Sequence, residues 1–359
     1  MKASEKKTAP QRELFKQTEN KALLFNPEEL LTAELVGRQV RNALSGMSTH
    51  ECYGMKATLQ PTSAELEYLL KSKASEAYHD NERPNWKLST LISVSQKYSA
   101  VKIVGSHSYN RTICLPRSRS LLVLYNKLTM QLLTIFDGSA ISTRRTGSYA
   151  SIALRIIKPD IEKANVFIIG AGEVAQAIVD DLKFWSKDKI DTVYVLSRSI
   201  ETAKKFVQKN THTTFNTIAV QNRQMMPTCD FVITASNASA PCYAFSDVKN
   251  DALILHLGGD ETPKDVIEHV LLQGEVICDD IHCVSTRGSQ SLPRFFIDKN
   301  ETLINQAATF SIKNLYSPGT RKRTSPSHMT LVTCVGLPVL DLYVAQYLYE
   351  QYILKVKEH

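Results

Sequence analysis

The segment Asn165–Ala175, NVFIIGAGEVA, constrains the fold more than any other stretch of the chain. Its apolar, β-branched start predicts a short strand buried on both faces. A glycine turn follows at once, and then an apolar-periodic stretch runs through Leu182. Strand, GxGxxA turn and helix in that order have one physical logic. Gly170 permits the tight turn, Gly172 lets backbone N–H groups approach a pyrophosphate, and Ala175 lets helix pack closely on strand. The helix N-terminus, which carries Glu173 and Val174, then faces the anion. Gly170, Gly172, Glu173, Val174 and Ala175 are therefore candidate dinucleotide-binding residues.

The flanking sequence extends this unit. Thr192–Leu196, Asp230–Ser236, Asp251–Leu257 and the EVICDD run from Glu275 read as further strands, the last of them closing the unit by about residue 300. Between them, Ser199 is placed to cap a helix with Ala203, Phe206 and Val207 on one face. Pro263 and Gly274 bracket another helix. Strands alternating with helices predict a parallel sheet covered on both faces. The first 145 residues follow another pattern. A helix is expected from Pro27 to Leu44. Trp86–Ser106 and Arg119–Gly138 read as antiparallel strands joined by turns. The apolar C-terminal stretch Val339–Val356 reads as a helix that packs back on this first region. The expected fold class is α/β: a Rossmann-type, doubly wound parallel sheet plus a discontinuous α+β substrate-binding and dimerisation domain. The expected boundaries are 1–147 with 325–359 for the α+β domain, and 148–324 for the dinucleotide domain.

Composition narrows the function class. With 359 residues, 43% hydrophobic and 22% charged, the chain is neither disordered nor collagenous. No run of roughly 18 apolar residues predicts a membrane span. The N-terminal segment through Gln17 lacks the apolar core of a secretory signal and reads as a frayed tail in a cytoplasmic protein. The net charge of +7 is scattered, and its densest run, Arg321–Arg323, reads as a solvated loop. A basic stripe interleaved with aromatics, which nucleic-acid binding would need, is absent from the sequence. The seven cysteines are odd in number and lack CxxC spacing, which predicts reduced thiols. The Cys278–Cys283 string fits no common zinc spacing, so it reads as structural and no metal is expected.

The second strand of the dinucleotide unit selects the cofactor. An acidic residue there would bond a ribose 2′-hydroxyl, whereas this chain has Ser197, Arg198 and Ser199. That pattern favours NADP(H), with NAD(H) as the alternative. Three other positions carry chemistry. Lys102 lies in an apolar strand, where an ammonium needs a partner or an anionic ligand. Arg145 is placed at the start of a helix, beside Thr146. Asp260 falls in the loop after a parallel strand, on the edge where such sheets bind ligands. Taken singly, each also fits a structural role, as a snorkelling lysine, a helix-end arginine and a helix cap.

Together these features resemble the ornithine cyclodeaminase/μ-crystallin family. The strand lysine, the DG…TRRT element around Arg145, GAGEVA and the GGD of Asp260 occur in the family's order. The closing segment with Gly336 and Asp341 looks like its last strand–helix element. VKIVGSHSYNRTICLPRSRS and EVICDDIHCVSTRGSQSL are similar to a branch of amino-acid-conjugate dehydrogenases from siderophore biosynthesis. The resemblance implies an NAD(P)-dependent oxidoreductase acting at the C–N bond of an amino acid or an opine-like conjugate, working as a homodimer. Alternatives within the family are a cyclodeaminase with tightly bound cofactor and a non-catalytic NADPH-binding protein. It also implies roles. Lys102 and Arg145 hold the substrate carboxylate, Asp260 acts as general base, Thr146 and Ala235 bind the cofactor, and Ser236 and Asn237 lie near the nicotinamide. Asn110, Arg117 and Arg119 lie where the branch binds substrate or phosphate.

Overall fold

Alternation of buried and exposed residues along Lys87–Val94 and Tyr98–Ser106 makes a sheet with one covered face. The computed structural model describes residues 23–70, 86–321 and 327–357. The whole N-terminal tail through Gln17, and Lys322 and Arg323 of the basic run, lie outside the described residues. The first part of the chain comprises β1 (Leu23–Phe25), α1 (Ala33–Ser48), β2 (Tyr53–Leu59), α2 (Ser63–Leu70), β3 (Lys87–Val94), β4 (Tyr98–Ser106), β5 (Ser118–Asn126) and β6 (Leu132–Asp137). These six strands form one sheet in the order β1-β6-β5-β4-β3-β2, antiparallel except for the β1–β6 pair.

Two helices, α3 (Gly138–Gly147) and α4 (Tyr149–Ile157), lead into the second part. It comprises β7 (Ala164–Ile169), α5 (Glu173–Trp185), β8 (Ile190–Leu196), α6 (Ile200–Lys209), β9 (Asn216–Val220), β10 (Phe231–Thr234) and β11 (Leu253–His256). Then follow α7 (Lys264–Leu272), β12 (Glu275–Cys278), α8 (Ile281–Ser285), α9 (Ser291–Ile297), α10 (Leu303–Gln306), β13 (Lys313–Asn314), α11 (Pro318–Arg321) and β14 (Thr330–Thr333). The eight strands run parallel in the order β13-β12-β14-β11-β10-β7-β8-β9. Successive residues of one strand serve opposite layers. Val166 and Ile168 join one apolar cluster, while Phe167 and Ile169 join the other. Both faces are therefore covered, as the continuous apolar strands predict.

Three expectations change. The first helix begins at Ala33, because the Thr32 hydroxyl accepts from Leu35 N–H at 3.2 Å and Pro27 only precedes a short 3-10 turn. Buried Gly46, against which the Tyr343 hydroxyl lies, lets that helix continue to Ser48. The parallel sheet also does not end with β12. β14 inserts between β11 and β12, inside the segment 325–359 that the sequence assigns to the other domain. Its four residues, TLVT, are too short for periodicity to distinguish a core strand from a loop.

The last helix, α12 (Pro338–Lys357), returns to pack on α1 and on β2 to β5, as its apolar sequence predicts. The two parts also meet at α3 and α5. At Gly147 a side chain would run into the backbone of Ala177, so this crossing requires glycine. Nearby, the Trp185 indole N–H donates to the Ala33 carbonyl at 3.0 Å, and the Arg41 guanidinium stacks 4.0 Å above its ring.

Candidate active site at the carboxyl edge of the parallel sheet

Lys102 and Arg145 come together on a shared acid. Lys102 sits mid-strand in β4 on the covered face of the antiparallel sheet, in register with Leu91 and Leu122. Arg145 lies in the last turn of α3, not at a helix start, because Asp137 caps that helix by accepting from Ser139 N–H at 2.9 Å. Between them stands Asp341 of α12. Its Oδ2 accepts from Lys102 Nζ at 2.5 Å and its Oδ1 from Arg145 Nε at 3.3 Å. All three side chains are at most 7% exposed. The Ser142 hydroxyl, 3.2 Å from Lys102 Nζ and 3.4 Å from Arg145 Nη2, bridges the two cations.

The charges respond to this confinement. Burial lowers Lys102 to about 8, although Asp341 opposes the fall and Arg145 adds to it. Burial acts the same way on Arg145 and is the largest single effect, but Asp341, Tyr149 and Asp279 together outweigh it and hold the guanidinium above its ordinary value. Burial would raise Asp341, yet the two cations keep its carboxyl below the usual range. Two positive charges thus share one negative charge, a deficit that suits a carboxylate ligand.

Sequence reasoning missed three neighbours of this cluster. Lys56 on β2 lies two strands from Lys102 on the same face, through the Lys56–Leu91–Lys102 register. Burial, helped by Arg287, Lys102 and Arg145, lowers Lys56 to about 7. Asp279, fully buried at the end of β12, accepts from the Tyr149 hydroxyl at 2.8 Å. It also accepts from Val335 and Gly336 N–H at 3.0 and 2.9 Å. Gly336 has φ +82°, and a Cβ there would strike the Arg145 guanidinium. Alternation about Lys102 could have signalled Lys56, but nothing local pairs Asp279 with Tyr149.

The glycine turn lies on the same strand edge. Gly170 has φ +130°, and a Cβ there would sit 2.5 Å from the Ala235 carbonyl oxygen. This places the turn against the end of β10, where the strand order reverses after β7, the position at which such sheets bind ligands. A Cβ on Gly172 would meet nothing within 4 Å, no side chain caps the first turn of α5, and Ala175 is fully buried. Glu173 is exposed and Val174 half-buried in that first turn. Open space, uncapped N–H groups and a helix dipole fit a dinucleotide pyrophosphate. Arg198 is exposed just past β8, and Ser197 beside it is half-buried. Ser199 caps α6, accepting from Thr202 N–H at 3.2 Å.

Other candidates have structural partners. The Thr146 hydroxyl donates to the Ser142 carbonyl at 2.7 Å. Ser236 donates its N–H to Glu261 Oε1 at 2.7 Å, and its hydroxyl bonds the same oxygen. Asn237 is half-buried beside it. Asp260 stands on the loop after β11, but the structure does not bring it to the cation pair. Its Oδ2 accepts from Arg294 Nη1 of α9 at 2.9 Å. The acid joined to the pair is Asp341. Asn110 braces its own loop by donating to the Pro116 carbonyl at 3.1 Å. Arg117 is half-buried and Arg119 exposed. In the Cys278–Cys283 string, Asp280 caps α8 by accepting from Cys283 N–H at 2.8 Å. Among the described residues no group of three or more His, Cys, Asp or Glu side chains could hold a metal.

Affinity for a carboxylate ligand should fall as pH rises, because Lys56 loses its proton near about 7 and Lys102 near about 8. The loss expected between pH of about 6.5 and about 9 is roughly tenfold, the value of one weakened charge-assisted bond. Calorimetric titration across that range checks it. The Lys56→Met variant should lose the lower part of the transition and keep the upper.

Comparison with known proteins agrees with this architecture. The model of the ornithine cyclodeaminase/mu-crystallin family matches residues 72–355. A Δ1-pyrroline-2-carboxylate reductase from Bacillus cereus is 24% identical over 277 residues, covering 76% of this chain and 82% of that protein. An archaeal alanine dehydrogenase dimer with bound NAD superposes with a TM-score of 0.75 at 17% identity, over 93% of this chain and 97% of that one. The Δ1-pyrroline-2-carboxylate reductase of Thermococcus litoralis, solved with NADH and L-proline, gives a TM-score of 0.74 at 18% identity, over 93% and 98%. The parallel-sheet domain, the buried cation pair and a match over most of the sequence lead to one conclusion: this chain belongs to the ornithine cyclodeaminase/mu-crystallin family.

Proposed function

We propose that this protein is an NAD(P)-dependent oxidoreductase that interconverts the amine and imine of an amino acid, or of an amino-acid conjugate, at its α-carbon. The observation that carries the reading is the Lys102–Asp341–Arg145 cluster, two buried cations on one carboxylate, at the strand edge that also holds the Gly170 turn. The curated relative from Bacillus cereus, named as a Δ1-pyrroline-2-carboxylate reductase, supports the imine.

Lys102 and Arg145 bind the substrate carboxylate, and the guanidinium fork fixes its plane. Lys56 adds a third positive group from β2. Held this way, the α-carbon is oriented for reaction, so binding is converted into positioning. Gly170, Gly172 and the first turn of α5 would hold the pyrophosphate, while Ala235, Ser236 and Asn237 would shape the nicotinamide end. When bound there, the cofactor would supply hydride chemistry at that carbon. Asp260, half-buried, moves the proton at nitrogen, and Arg294, paired with its Oδ2, orients the carboxylate. Glu261, wholly buried beneath Ser236, positions that serine. Arg198, with Ser197, takes a 2′-phosphate, so NADP(H) is the preferred form.

The reading divides the chain into a substrate-binding part, 1–147 with the last helix, and a dinucleotide part, 148–324 with β14. The protein works in the cytoplasm as a homodimer. The outer face of the antiparallel sheet carries Tyr53, Met55, Leu59, Leu88, Ile92, Ile103 and Leu121, each at least 43% exposed. So broad an apolar face suits a second copy of the chain. The related archaeal alanine dehydrogenase is described as a dimer.

Three outcomes test the reading. Asp260→Asn should fold, bind nucleotide and lose turnover by about 100-fold or more, followed as NAD(P)H absorbance with cyclic imino acids. A wild-type kcat in that variant would remove Asp260 from the mechanism. Arg198→Ala should weaken NADPH about tenfold or more and NADH far less, by fluorescence titration. Equal losses would mean that Arg198 does not read the phosphate. Finally, Ile103→Asp with Leu121→Asp should convert a dimer to a monomer in light scattering.

A further inference from the structure

Asp279 and Tyr149 form a buried pair that the hydride chemistry leaves unused. Tyr149 lies in α4 and Asp279 at the end of β12, and both are 0% exposed. The two residues are 130 apart in sequence. One oxygen of Asp279, Oδ2, collects the Tyr149 hydroxyl and the N–H groups of Val335 and Gly336. The other, Oδ1, accepts from Asp280 N–H at 3.0 Å. Such a carboxylate resists displacement, because each bond it makes in the dry interior is expensive to break. Its three donors on Oδ2 pin the backbone at Gly336, and the Arg145 guanidinium rests against that backbone, where a Cβ would collide with it. The contact chain therefore runs Tyr149, Asp279, Gly336, Arg145.

We propose that Asp279, held by Tyr149, is a positioning residue of the carboxylate clamp, fixing the Val335–Gly336 backbone as the floor that aims the Arg145 guanidinium. The inference rests on the reading of Lys102 and Arg145 as substrate-carboxylate ligands. Asp341 bridges the pair from α12, while Asp279 shapes it from the parallel sheet. Misaiming a bidentate clamp weakens ground-state and transition-state binding alike, so it raises KM and leaves kcat nearly unchanged.

Tyr149→Phe keeps the ring and removes one of the three donors. Asp279→Asn sets an amide in the place of an oxygen that accepts three bonds. Both variants and the wild type are compared as full chains in three measurements: calorimetric Kd for pyrrole-2-carboxylate with NADPH present, steady-state reduction of Δ1-pyrroline-2-carboxylate, and NADPH Kd by fluorescence. In Tyr149→Phe, KM and the carboxylate Kd should rise about tenfold, with kcat within about threefold and NADPH Kd within about twofold. Asp279→Asn should show the same split, larger. If Asp279→Asn does not fold, Tyr149→Phe decides. Unchanged KM and carboxylate Kd in folded Tyr149→Phe would overturn the proposal, as would a fall in kcat with KM unmoved. A wild type that binds pyrrole-2-carboxylate but reduces no imino acid would refute the reductase reading alone, and the carboxylate Kd would still decide this one. A wild type that fails to bind it would overturn both.

Discussion

Two cations held on one carboxylate, out of water, govern this structure. Lys102, Arg145 and Asp341 come from a strand, a helix and the final helix, and none is more than 7% exposed. Desolvating such charges costs several kcal/mol per ion, and attraction offsets that only when the geometry is close. Removing Asp341 would leave two buried cations without their acid, a loss of about 3–5 kcal/mol for a broken buried pair. The same arrangement is incomplete as a charge balance, which is what makes it receptive to an anion. Stability and the proposed ligand recognition therefore draw on the same three side chains.

The rest of the fold can be understood as the means of bringing that cluster to a sheet edge. The antiparallel sheet supplies Lys102 and Lys56 from one face. Helix α3 carries Arg145 inward, and Gly147 lets it press on α5 at the joint between the two parts. Parallel strands β12 and β14 end at Asp279 and near Gly336, so their carboxyl termini abut Arg145. A few positions on, the turn after β7 meets the end of β10 at Gly170. Parallel strands end on a common edge, and this shared direction sets the cation cluster and the glycine turn side by side.

Much of this was legible in the order of residues. The strand–glycine–helix unit, the capped helix at Ser199 and the hairpin around Lys102 follow from patterns a few residues long. Lys102 stood out because an ammonium in an apolar strand demands a partner or an anion, but its pairing with Arg145 came from the family resemblance. Asp260 shows the limit. Its position after a parallel strand was read correctly, but its side chain bonds Arg294, while the neighbouring Glu261 turns inward to Ser236. Which of two adjacent acids faces inward depends on loop conformation, and no periodicity encodes that. The place of β14 was missed for a related reason: the resemblance marks a strand in that segment, but TLVT carries too little pattern to assign it to the parallel sheet, where it gains two strand neighbours.

By itself the sequence determined the local units and their class, because hydrophobic spacing and glycine placement act over a single turn or strand. It also named the cations. Only the tertiary structure decided which acids answer them. Asp341 lies 239 residues from Lys102 and 196 from Arg145, and Asp279 lies 130 from Tyr149. Such pairs exist only after two sheets have formed and docked, since a contact between distant residues is set by how whole elements pack.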